Sequence, residues 1–112
     1  MSVLKEKSDI INHCASVNDE NFNRNKILEE VAEFQEVAVK LATKSNSNPK
    51  RPDKEELIKE FGDVVYRGII YLRQQFPELS LEQLLGKIDD RIDKKLSNLE
   101  RYKKENLYKT GL

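Results

Sequence analysis

The chain has 112 residues, enough for one domain of ordinary size. Lys plus Arg equals Asp plus Glu at 20 each, so the formal net charge is zero, which excludes a nucleic-acid binder working through bulk basic charge and an acidic disordered tail. One cysteine, Cys14, excludes an internal disulfide framework and a thiolate zinc cluster.

The periodicity predicts an all-α protomer of four helices and no sheet. The first spans residues 3–16, with Leu4, Ile11 and Cys14 on one side and Val3 and Ile10 beside them. The second covers 24–43, where Ile27, Val31, Phe34, Ala38 and Leu41 recur at helical spacing. A polar segment with two prolines, 44–52, is the one clear linker and separates helices rather than domains. The third begins at Asp53, which stands three residues before Glu56 in capping-box spacing, carries Leu57, Phe61, Val64, Gly68 and Leu72, and ends before Pro77. The fourth begins at Ser80, with Gln83 at the capping-box position and Leu79 and Leu84 placed for a hydrophobic staple. Its stripe is Leu81, Leu84, Ile88, Ile92 and Leu99, running to about residue 105. No run approaches the roughly 20 apolar residues of a membrane span. The polar N-terminus has no leader pattern, so the expected location is cytoplasmic. His13 has no serine or cysteine nucleophile motif near it, which argues against a His-dependent triad.

Charge breaks the helical pattern at two places. On the second helix Glu30 falls between Val37 and Leu41, inside the apolar sector, and Glu33 sits at its edge, while Glu29 and Glu36 lie further out. On the third helix Glu60 and Asp63 are three apart, and Glu60 borders Val64 and Tyr71. A carboxylate facing a core costs several kcal/mol unless protonated, paired or bound to metal. Residues three apart share a face, so two such pairs on neighbouring antiparallel helices make four convergent carboxylates. Hard divalent cations relieve that repulsion, and an oxygen-only donor set selects Mg²⁺, Mn²⁺ or Ca²⁺ over zinc. A di-iron bundle would need Glu-x-x-His on two helices, which the chain lacks. A solvated acidic face is the alternative that spacing alone leaves open.

The fourth helix supplies the opposite sign: Lys87, Arg91, Lys94 and Asn98 step along the border of its stripe, with Lys95 close to the stripe itself. Such a ladder suits a polyphosphate, and balance with Asp89, Asp90 and Asp93 is the simpler alternative.

Glu29-Glu30-x-x-Glu33, then 26 residues, then Glu60-x-x-Asp63 resembles the signature of the MazG-like all-α nucleoside triphosphate pyrophosphohydrolases. The segments Lys26-Ile27-Leu28-Glu29-Glu30-Val31-Ala32-Glu33 and Glu60-Phe61-Gly62-Asp63-Val64 carry the likeness, which covers roughly residues 25–102 of a single domain, 1–112. The resemblance implies hydrolysis of a nucleoside or deoxynucleoside triphosphate between the α and β phosphorus atoms, giving a monophosphate and pyrophosphate in nucleotide-pool house-cleaning, with Mg²⁺ as cofactor and Mn²⁺ as a substitute. It implies Glu30, Glu33, Glu60 and Asp63 as metal ligands and Glu29 and Glu30 as catalytic residues, Glu29 either supporting the ligands from behind or orienting the attacking water. Lys87 and Arg91, with Lys94 beside them, would contact phosphate. The segment 18–23 would meet the base, with Phe22 either a stacking platform or a hydrophobic anchor. A non-catalytic helical interaction protein and a nucleotide sensor of the same fold are the alternatives. Leu28, Val37 and Val39 on the second helix, with Ile69 and Ile70 on the third, broaden the apolar stripes and predict a bundle completed by oligomerisation: an obligate homodimer, with a tetramer left open.

Overall fold

The computed structural model describes residues 2–43 and 52–105, and the linker expected at 44–52 therefore lies outside the described residues except for Pro52. Among the described residues there are five helices and no strand: α1 (Ser2–Glu6), α2 (Ser8–Val17), α3 (Glu20–Ala42), α4 (Glu55–Gln75) and α5 (Leu81–Lys104). The all-α class is as expected. The first expected helix is divided at Lys7, which leaves helical geometry between α1 and α2. α3 begins four residues earlier than the stripe suggests, because the Asp19 carboxylate accepts the Phe22 N–H at 2.8 Å and caps the extra turn. The segment 18–23, which falls between the first two expected helices, is thus mostly helix.

The other boundaries follow their local chemistry. Asp53 accepts the Glu56 N–H at 3.2 Å, although α4 itself starts at Glu55. α4 stops at Gln75, ahead of Pro77. At the start of α5 the Gln83 N–H donates to Ser80 Oγ at 3.1 Å and the Ser80 N–H donates to Gln83 Oε1 at 2.9 Å, the complete reciprocal box. No helix among the described residues is long and apolar enough to cross a membrane.

The chain divides into two units, Met1–Glu78 and Leu79–Leu112. In the first, α4 packs against both α3 and α2. That double contact explains why it buries two adjacent side chains, Ile69 and Ile70, about 100° apart around the axis. Leu4, Ile11 and Ala15 of α1 and α2 and Val37 of α3 complete the buried apolar set of this unit. Arg73 Nε donates to Asn12 Oδ1 at 3.0 Å, and Gln74 Nε2 donates to the carbonyls of Ala15 at 3.1 Å and Asn18 at 2.6 Å, tying α2 to α4.

α3 and α4 run antiparallel. The Phe34 and Phe61 rings meet edge-on at 5.7 Å, and at the other end a Cβ on Gly68 would stand 3.5 Å from Ile27 Cδ1. The inward line of α3 is turned from the expected stripe. Val31 is exposed, while Asn23 and Val37, seven residues to either side of the half-buried Glu30, are buried. Val37, Ile69 and Ile70, expected to broaden the apolar stripes, lie inside this unit, and Leu28, Val31, Val39, Ile58 and Phe61 are among the apolar residues left exposed on α3 and α4. The second unit holds α5, which buries Leu81 and Leu84 and exposes Ile92, Leu96 and Leu99.

Candidate metal centre

The inward line of α3 and the facing line of α4 bring three carboxylates together. One oxygen each from Glu30, Glu60 and Asp63 lies within 4.8 Å of the others. Glu30 and Asp63 are half-buried, and Glu60 is only 7% exposed. Helical register accounts for the placement: Glu30 occupies the line that buries Asn23 and Val37, and Glu60 and Asp63 sit one turn apart on α4, beside the Phe34–Phe61 contact.

Three negative groups at this spacing repel strongly once water is excluded. Among the described residues one cation pairs with the cluster: Lys59 Nζ donates to Glu60 Oε1 at 3.3 Å. That hydrogen bond, with the attraction of Glu60 and then of Asp63 and Glu56, holds the Lys59 ammonium above its ordinary value. Lys59 is itself 70% exposed, so it neutralises the cluster only from outside. Glu60 Oε2 and Glu30 Oε2 are buried and have no hydrogen-bond partner among the described residues. Buried acceptors without donors, drawn from an oxygen-only set, are what a hard divalent cation requires. The residues therefore fit such an ion, and the donor set does not distinguish Mg²⁺ from Mn²⁺ or Ca²⁺.

Glu33, expected as a fourth ligand, does not join the group and is exposed. It still senses the cluster. Repulsion from Glu30 pushes its carboxyl above the ordinary value, with desolvation, Glu60, a hydrogen bond with Glu30 and the Glu29 charge acting in the same direction. Glu29 is exposed and paired with Lys26 at 3.4 Å. Glu36 shows what a solvated glutamate on this helix looks like: it pairs with Lys40 at 2.7 Å, and that hydrogen bond lowers its carboxyl. On the same helix, then, Glu36 is relieved by a neighbouring lysine, while Glu33 is raised by neighbouring carboxylates.

Phe22 is exposed in the first turn of α3, with the Lys26 ammonium 5.6 Å from its ring centroid. It stands eight residues from Glu30, roughly 12 Å along the helix. Lys87, Arg91 and Lys94 are exposed on α5. The ion pairs among the described residues are Arg24–Glu20, Lys26–Glu29, Lys40–Glu36 and Lys59–Glu60, and none of them involves Lys87, Arg91 or Lys94.

Sequence reasoning missed four polar residues of α3 and α4: Lys59, which pairs with Glu60, and Asn23, Arg67 and Gln74, which carry buried polar atoms. Spacing held the signal for three of them. Asn23 is seven residues before Glu30, while Arg67 and Gln74 are seven and fourteen after Glu60, so each repeats the register of a buried carboxylate. Comparison with family models, with curated proteins and with solved structures finds no match to this chain.

Proposed function

We propose that the chain is a divalent-cation-dependent nucleoside triphosphate pyrophosphohydrolase of the MazG-like kind, cleaving between the α and β phosphorus atoms. The observation that carries the reading is the Glu30, Glu60 and Asp63 cluster with its unpartnered Oε2 atoms, on the two helices whose motifs resemble that family. Bound there, Mg²⁺ or Mn²⁺ would supply charge neutralisation for a polyphosphate and acidify a water.

The chain's own residues do the rest. Glu30, Glu60 and Asp63 hold the ion. Their burial keeps the field around it strong, because little water screens it. Glu33, whose carboxyl the neighbouring Glu30 charge raises, would take a proton from the attacking water. Glu29, the first carboxylate of the motif, orients that water. Lys59 pairs with the outer side of Glu60 and would give up part of that pairing to a bound cation. The phosphate role that the resemblance gives Lys87, Arg91 and Lys94 belongs to the same proposal.

A panel of ribo- and deoxynucleoside triphosphates with Mg²⁺, followed by phosphorus NMR, tests the reaction. Monophosphate and pyrophosphate are the expected products, and chelator should stop their formation. Orthophosphate plus a diphosphate, or full activity in excess chelator, would contradict it. Binding without turnover would favour the nucleotide sensor. We further propose a homodimer, supported by the exposed apolar side chains of α3 and α4. Light scattering at micromolar concentration should give twice the mass of one chain, and a folded monomer there would overturn the assembly.

A further inference from the structure

The two carboxylate oxygens of Glu60 have different surroundings. Oε2 is buried and has no hydrogen-bond partner among the described residues, while Oε1 accepts from Lys59 Nζ at 3.3 Å. Glu60 is the most enclosed carboxylate of the cluster, and Lys59 is exposed. Helical spacing does not supply this pairing. Neighbouring residues on a helix stand about 100° apart and do not face each other, so the Lys59 side chain reaches around α4 to its neighbour's carboxylate. The other ion pairs among the described residues, Arg24–Glu20, Lys26–Glu29 and Lys40–Glu36, join residues three or four apart. Lys59–Glu60 is the exception, and it is the one of them made to a carboxylate of the cluster.

The pairing leaves an ion one oxygen of Glu60 rather than two. Mg²⁺ demands near-ideal octahedral geometry and keeps several waters, so it needs few protein oxygens. Ca²⁺ takes about six to eight oxygens in a flexible shell and accepts both oxygens of one carboxylate. Glu30, Glu60 and Asp63 giving one oxygen each therefore suit the smaller ion, with waters completing its shell. A glutamate free to give both oxygens suits the larger one. The three residues alone do not choose between these ions, but the state of Glu60 does, because selectivity turns on ligand number and flexibility. A plain positive charge nearby would act differently, weakening the binding of every divalent cation alike.

We propose that Lys59 is a positioning residue of the metal centre: by holding Glu60 Oε1 it confines Glu60 to one coordinating oxygen, Oε2, and so sets a preference for a small octahedral ion over Ca²⁺. The assignment rests on the cation centre of the proposed function and does not depend on which bond the protein cleaves. A bound ion takes part of the attraction, and the ammonium still covers Oε1. Because Lys59 is exposed, its replacement should leave the packing of α3 on α4 intact.

Calorimetric titration of the full chain with Mg²⁺ and, separately, with Ca²⁺ compares wild type, Lys59→Met and Lys59→Arg, with the melting temperature as a check on folding. Residues that support a metal ligand move affinity by roughly 10- to 100-fold, so in Lys59→Met the affinity for Ca²⁺ should rise about tenfold more than that for Mg²⁺. Lys59→Arg keeps a donor and should keep the wild-type ratio. An equal gain for both ions in Lys59→Met, or a gain for neither, would leave Lys59 no positioning role and overturn the proposal. A ratio that moves equally in the two variants would overturn it as well, because the donor would then not matter. Wild type binding neither ion would overturn the metal centre itself, and the role of Lys59 with it.

Discussion

Glu30→Gln and Glu60→Gln should each reduce turnover by at least ~100-fold while leaving the cation-free protein as stable as wild type. The scale follows from metal sites in general, where even residues that only support a ligand change affinity or activity by roughly 10- to 100-fold. The stability follows from the local geometry. Each glutamate keeps a buried oxygen without a donor, inside a cluster whose charges repel. A neutral amide of the same shape removes one of those charges. At Glu60 the change also weakens the 3.3 Å pair with Lys59, an exposed partner whose contribution is about 0–1 kcal/mol. The two effects oppose each other and are of similar size. Circular dichroism melting in chelator checks stability, and initial rates in Mg²⁺ check turnover. A variant that melts well below wild type in chelator would mark its glutamate as a structural partner.

How far the sequence discloses this molecule depends on which interactions are local. Helix termini set by neighbouring residues are legible: Ser80 with Gln83 gives a complete capping box, and α4 stops ahead of Pro77. Asp19 was equally local, since its carboxylate meets an N–H three residues on, but the polar run around it reads as loop and hides the cap. The break at Lys7 carries no glycine or proline and leaves no such mark. Face assignment is less legible, because an apolar stripe shows only that one side is buried. Val31 belongs to the α3 stripe and is exposed, whereas Asn23 is polar and enclosed.

The same distinction applies to the site. Glu30, Glu60 and Asp63 could be found because a charge in an apolar register contradicts its surroundings. Neutral Asn23 and Gln74 do not raise that alarm. Glu33 stands at the same three-residue spacing as Asp63 yet stays exposed outside the group, so spacing narrows the ligand set without fixing it. Lys59 follows Glu60's neighbour position rather than a helical face, so only coordinates reveal its contact.

A divalent cation should stabilise the folded chain, and the gain should grow with pH. An ion bound only by the folded state at one hundred times its Kd adds about 2.7 kcal/mol. For a chain near this size that raises Tm by roughly 10–20 °C. The pH dependence has a definite sign. The Glu33 carboxyl is raised above 4.5 in the folded protein, so its contribution to stability is fully present below that value. It is lost as pH rises through the raised value. At neutral pH the cation-free protein therefore carries the repulsion, and a bound cation offsets it. Binding also needs ionised carboxylates, which acts in the same direction.

The most direct measurement is the melting temperature of wild type and Glu60→Gln, with Mn²⁺ and with chelator, from pH 5 to pH 8. A cation centre built on Glu30, Glu60 and Asp63 requires a wild-type shift that increases with pH and is largely abolished in the variant. An equal shift in the two proteins, or none in either, would contradict it.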